Sequence, residues 1–158
     1  MTRMTHLDEY GRARMVDVTR KKETVRVAVA RGSVLMKPDT LAMISRGEMA
    51  KGDVFSVARI AGIMAAKNTS GLIPLCHPLQ LTGVEIRFSV RDERTLEIEA
   101  QVTNRGRTGV EMEAMTAVSA AALTVYAMCK AVDRRMVLTE IRLISKTGGK
   151  SGTFVREP

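Results

Sequence analysis

The sequence predicts an α+β fold, an antiparallel sheet with helices packed on one face. Three observations point there. Apolar residues alternate in two adjoining runs, 84–90 and 96–102, joined by a charged turn. A long uncharged stretch, Ala114–Cys129, follows them and reads as a helix. The two periodicities succeed one another as strand, two helices, hairpin, helix, strand.

Taken in order, Val25-Arg-Val-Ala-Val-Ala30 alternates and reads as the first strand. Pro38-Asp39 opens a short helix through Ile44, and Gly47 is placed to stop it. Asp53 can cap a second helix running through Val57, Ile60, Ala61 and Met64 towards Lys67-Asn68. Leu79 and Leu81 precede Val84, Ile86, Phe88 and Val90, with a break at Thr82-Gly83 that marks a bulge or the start of the strand. Leu96, Ile98, Ala100 and Val102 alternate again across the turn Arg91–Thr95, which makes a hairpin. The long helix runs from about Val110 to about Val132, and its small residues permit close packing. Val137, Ile141, Leu143 and Ile144 supply the last strand. This order is of the ferredoxin-like kind. Residues 1–158 form one domain, with loose ends expected at about 1–14 and 147–158.

The balance of 25 Lys+Arg against 17 Asp+Glu gives a net charge of +8, which favours an anionic partner. With no Trp, two Tyr and three Phe, the chain lacks the stacking platforms that single-stranded nucleic acid requires. Cys76 and Cys129 lie far apart, without metal-site or redox spacing, and read as two thiols of a cytoplasmic protein. The first residues lack an apolar signal-peptide core. Ala114–Cys129 falls short of the ~20 residues of a membrane span. No membrane partner and no metal are expected.

Several residues could carry chemistry. His77 stands in Pro74-Leu-Cys-His-Pro78, where two prolines stiffen the loop and Pro78 pushes His77 towards an extended backbone. Such a loop can present one imidazole to a heterocycle; a hydrogen-bonded structural histidine explains it as well. In Thr108-Gly-Val-Glu-Met-Glu113, Glu111 and Glu113 could accept hydrogen bonds from a guanine-like ring, or merely suit the helix N-terminus. Lys51, at the start of the second helix, could be an acid or base, and Lys130 could simply complement a helix C-terminus. The tail Ser145–Gly152 fails as a P-loop, because Ile144 stands where the first glycine should be. Its glycines beside Lys146 and Lys150 could still wrap a phosphate, or form a loose tail.

Taken together, Met15-Val-Asp-Val18, Lys51-Gly-Asp-Val-Phe55, Ala58-Arg-Ile-Ala-Gly62, Ala65-Ala-Lys67, Leu72-Ile-Pro-Leu-Cys-His-Pro78, Thr108–Ala114, Met128-Cys-Lys-Ala131 and Gly148–Gly152 resemble the MoaC family of molybdenum cofactor biosynthesis. The resemblance runs in order from roughly Thr5 to Phe154, and Leu72–Pro78 with Thr108–Glu113 is its most specific part. It implies a lyase-type reaction. A 3',8-cyclised dihydroguanosine triphosphate, made by a radical-SAM GTP cyclase, becomes cyclic pyranopterin monophosphate and diphosphate, with no redox cofactor. It also implies a ferredoxin-like fold and a homohexamer built as a trimer of dimers, with active sites at the dimer interface. By motif, Lys51 and Lys130 correspond to catalytic lysines, and Leu75, Cys76, His77, Met112 and Glu113 to the purine pocket. Arg26, Lys67, Lys146 and Lys150 are candidates for the triphosphate end, with Arg26 reaching across from another subunit.

One departure stands out. The family pattern Tyr-Asp-Met-Cys-Lys here reads Tyr126-Ala-Met-Cys-Lys130, so Ala127 occupies the position of a catalytic Asp. On a helix, 127 and 130 share a face, and Lys130 lacks that carboxylate partner. Two origins fit, an engineered inactive variant or a natural inactive paralogue. Either way the chain is expected to bind substrate and turn it over poorly. Two other functional classes fit parts of the sequence. A basic RNA-binding ferredoxin-like domain suits the charge and the element order, though the hairpin lacks an RNP-type aromatic pattern. A scaffold or regulatory oligomer would suit Ala127 alone.

Overall fold

The computed structural model describes residues 5–158. Its elements are β1 (Thr24–Leu35), α1 (Pro38–Ser45), α2 (Val54–Lys67), α3 (Thr69–Leu72), β2 (Gly83–Asp92), β3 (Thr95–Gly106), α4 (Glu111–Cys129), β4 (Val137–Thr147) and β5 (Phe154–Val155). The sheet order is β2-β3-β1-β4-β5, antiparallel throughout. The α+β layout and the hairpin agree with the sequence.

β1 is twice as long as its clear alternation, and pairs with β3 along its whole length from Thr24↔Gly106 to Leu35↔Thr95. Its inward positions beyond Ala30 are Gly32 and Val34, where smallness replaces hydrophobicity as the signal. A Cβ on Gly32 would sit 2.7 Å from Val118 Cγ1 and 3.0 Å from Ile141 Cγ1, so the strand needs glycine there. β2 starts at Gly83, which resolves the break before Val84 as the start of the strand.

Several helix ends have identifiable causes. At the end of α1, Gly47 takes φ +70°. Its N–H bonds to Ile44 O and that of Glu48 to Met43 O, the paired closure of a Schellman motif. Asp53 caps α2 by accepting from the Ser56 N–H at 3.1 Å. The start of α1 is held from afar: buried Asp133 accepts from Lys37 N at 2.9 Å and from Thr40 Oγ1 at 3.1 Å. α4 ends at Cys129, a turn earlier than its composition suggests, because Val132 and Asp133 fold back onto the Cys129 carbonyl.

α2 and α4 lie side by side on one sheet face, with the core between them and the strands. By length and composition α4 could cross a membrane, which the uncharged stretch alone did not reach. It is instead a core helix, with Ala114, Ala117, Val118, Ala121, Ala122, Val125 and Cys129 buried. The opposite sheet face is charged: Arg31 pairs with Glu99 at 2.7 Å, Arg87 with Glu99 at 3.2 Å, and Arg91 with Glu140 at 3.5 Å. Phe88, the hairpin's one aromatic, packs inward on Phe55 with ring centroids 5.0 Å apart. A sheet face with acidic residues and no stacking ring is unsuited to RNA.

Both ends make specific backbone contacts. Leu7 and Ala13 form an isolated antiparallel bridge. In the tail, β5 pairs with β4, and Arg156 N and Nε donate to Ile144 O and Leu143 O at 2.8 and 2.7 Å. The first four residues of the expected N-terminal loose end lie outside the described residues.

Candidate active site

The loop Pro74–Pro78 and the start of α4 face one another across a cavity of about 240 Å³. Leu75, Cys76 and His77 line it from the loop, and Glu111, Met112 and Glu113 from the helix. The five residues expected in the purine pocket therefore meet, and Glu111 joins them. The N-terminal segment closes the cavity with Thr5, His6, Val16, Val18 and Lys21. His77 Nε2 lies 2.6 Å from the Val16 carbonyl oxygen.

Glu113 is 4% exposed, and its carboxyl has no cation beside it among the described ion pairs. Burial pushes its pKa above the usual carboxylate range, and the neighbouring Glu111 charge adds to the rise. The Cys76 thiol is also pushed up, by burial first and then by Glu113. A raised thiol pKa makes Cys76 a wall of the cavity rather than a ready nucleophile.

A cationic cleft adjoins this cavity. Lys21, Thr108, Gly109 and Glu111 border both spaces, and Arg26, Lys146, Gly148 and Ser151 continue the second. A further hollow beside it is lined by Arg20, Lys21, Lys22, Thr24, Arg26, Gly149 and Lys150. Arg26 Nε donates to Gly106 O at 3.0 Å, and Lys146 Nζ bonds to Ser151 Oγ. Gly148 and Gly149 have φ of +92° and +77°. A Cβ on Gly148 would strike Val25 O, and one on Gly149 the Arg26 guanidinium, so the turn packs directly on β1. Cations spaced along such a cleft can hold an oligophosphate at separate points.

The other candidates fall elsewhere. Lys51, in the turn before α2, donates from Nζ to the Ala127 carbonyl at 3.1 Å. Lys130 caps the same end of α4. Lys51, Ala127 and Lys130 are thus gathered and exposed, but at the far end of α4 from Glu113. The rise of roughly 1.5 Å per residue puts about 21 Å of helix between positions 113 and 127. Lys67 ends α2 and lines a separate groove with Ile63 and Leu79–Val84. Leu79 borders both that groove and the His77 cavity. The structure therefore divides the expected site, within one chain, into a pocket with a cationic cleft, a lysine cluster, and Lys67 apart from both. Lys21, Lys22, Val16 and Thr108 were not singled out; the basic run Arg20-Lys21-Lys22 just before β1 was the readable sign of the first two.

The MoaC family model matches residues 15–149, which include the lysine cluster and most of the pocket and cleft lining; Thr5, His6, Lys150 and Ser151 lie outside that range. The chain belongs to the MoaC family. It is 61% identical over 154 residues to a cyclic pyranopterin monophosphate synthase of Desulfitobacterium hafniense, covering 98% of this chain and 94% of the relative. With the synthase of Heliobacterium modesticaldum the identity is 61% over 158 residues, covering 99% of each. With that of Thermomicrobium roseum it is 62% over 158 residues, covering 99% of this chain and 95% of the relative. Every part of this MoaC-family chain that lines the cavity or the cleft therefore falls within the aligned length.

Proposed function

We propose that this MoaC-family chain carries the cyclic pyranopterin monophosphate synthase function in molybdenum cofactor biosynthesis. Its substrate is the 3',8-cyclised dihydroguanosine triphosphate, and its products are cyclic pyranopterin monophosphate and diphosphate. The observation that carries this reading is the junction of a small heterocycle-sized cavity with a cationic cleft through Lys21, Thr108, Gly109 and Glu111. A purine-like ring bearing a triphosphate needs those two environments side by side.

In this reading Glu113 accepts N–H groups of the ring, and His77, Leu75, Cys76 and Met112 shape its seat. Arg26, Lys146 and Lys150, with Lys21, hold the phosphates. Lys51 and Lys130 transfer protons during the ring rearrangement, where a positioned acid or base contributes ~10²–10⁴-fold. The 113-to-127 separation supports a site completed by a second protomer, whose lysine cluster meets this protomer's cavity. Lys67 would then serve a neighbouring site, whereas Arg26, expected from another subunit, lines the cleft of its own chain. The assembly is a homohexamer, a trimer of dimers, working in the cytoplasm without nucleic acid, membrane or metal partners. A radical-SAM GTP cyclase supplies the substrate.

Ala127 stands at the position of the family's catalytic Asp, and turnover by this chain is correspondingly impaired. The test is diphosphate release and product mass from the cyclised nucleotide. Ala127→Asp should bind substrate within about twofold of the parent and turn it over at least ~10²-fold faster. Equal rates with Ala and Asp would refute the role of position 127. No release by either protein would refute the synthase reading.

A further inference from the structure

His77 is not free in its cavity. Its Nε2 lies 2.6 Å from the Val16 carbonyl oxygen, across 61 positions of chain. A carbonyl oxygen only accepts, so a nitrogen that close must carry a proton. Turning the ring over would put a C–H at the same short distance, well inside the ~3.3–3.6 Å of ordinary C–H···O contacts. The neutral ring is therefore protonated at Nε2 and carries its lone pair on Nδ1, which no protein group engages among the described hydrogen bonds.

We propose that the Val16 carbonyl is the positioning group of the pocket. It fixes His77 as the Nε2–H tautomer, so the imidazole meets a ligand as a hydrogen-bond acceptor and proton acceptor through Nδ1. The bond works in both directions. Residues 5–22 hold themselves together locally, by Asp8 N to Arg12 O, Arg14 N to His6 O and Lys21 N to Val18 O. Among the described hydrogen bonds, the His77–Val16 bond is the one that ties this segment to the body of the protein. His77 therefore latches the segment that lines the cavity with Val16, Val18 and Lys21. Nδ1 of His77 and the Glu113 carboxylate give the cavity two acceptors, which select a heterocycle edge bearing N–H donors. The proposal rests on the function above only for the identity of that heterocycle.

The test needs no ligand, so its failure is separable from failure of the synthase reading. The chain has two histidines, and His6→Gln leaves His77 as the one imidazole. Long-range ¹H–¹⁵N correlations on the ¹⁵N-labelled full chain at about pH 8, where an ordinary imidazole is neutral, should report protonated Nε2 and bare Nδ1. A dominant Nδ1–H form, or an even mixture, would overturn the proposal. Two further variants separate the latch from general structure. His77→Gln keeps an N–H donor near the place of Nε2, whereas His77→Asn keeps polar atoms only near that of Nδ1. Limited trypsinolysis at Arg12, Arg14 and Arg20 should run about fivefold faster in His77→Asn, the expected effect of losing one hydrogen bond, and near the parent rate in His77→Gln. Equal cleavage in the two variants would overturn the latch.

Discussion

Glu113 shows what one buried carboxyl costs and supplies. Its folded pKa is raised by burial, so the unfolded chain releases the proton first as pH rises. Below the ordinary carboxylate range both states are protonated and nothing is lost. Above it, the folded state loses stability until its own pKa is passed, and the full penalty then remains. Glu113→Gln cannot ionise and escapes that penalty. Thermal melts should show the variant above the parent at about pH 7 and the difference closing near pH 4. Its ligand affinity should fall roughly tenfold, because a charge-assisted hydrogen bond is lost. A gain in melting temperature that does not grow with pH would contradict this assignment of the burial cost.

At the scale of elements, the helix layer depends on close approach. Gly62 sits in mid-α2, where a Cβ would collide with Ile86 Cδ1 and come within 3.0 Å of the Ala117 carbonyl. Alanine is the better helix former by ~1 kcal/mol. Overpacking against α4 costs about 1–3 kcal/mol. The second effect should win, because Ala117 O is backbone and cannot rotate away. Gly62→Ala should lower the urea midpoint with an unchanged slope, a loss of stability without a change in surface exposed. The same smallness explains which elements could be read from sequence. The hairpin and α4 announce themselves by periodicity. β1 was legible only to Ala30, because its continuation Arg31-Gly32-Ser33 signals packing space rather than hydrophobicity. α3 has four residues, too few to show a period. β5 exists through pairing with β4, a non-local cause that Phe154-Val155 cannot express alone.

At the scale of the molecule, family motifs made the candidate site residues legible as a set but not their grouping. Motif matching collected Lys51, His77, Glu113 and Lys130 without regard to distance. The spacing from 113 to 127 on one helix keeps Glu113 and the lysine cluster apart within one chain, which is the ground for the proposed shared site. Two inactive variants should therefore complement each other. In an Ala127→Asp background, Lys51→Ala and His77→Ala chains should each lack turnover, and mixed oligomers formed by co-expression should recover part of it. Separately purified proteins combined without subunit exchange should stay silent. No recovery in the mixed oligomers would refute a site shared between protomers. The +8 charge belongs to this scale as well, and affinity for the triphosphate should fall as salt rises.

The short pairing of Phe154-Val155 with Ser145-Lys146, stapled by Arg156, turns the carboxyl end into a clasp around the glycine turn that bears Lys150. Under the proposed function, trimming those last residues, or hanging a bulky fusion from them, would slacken the bend that presents ammonium groups to phosphate. Such a change at the periphery would then register as weaker nucleotide capture while the hydrophobic interior stayed intact.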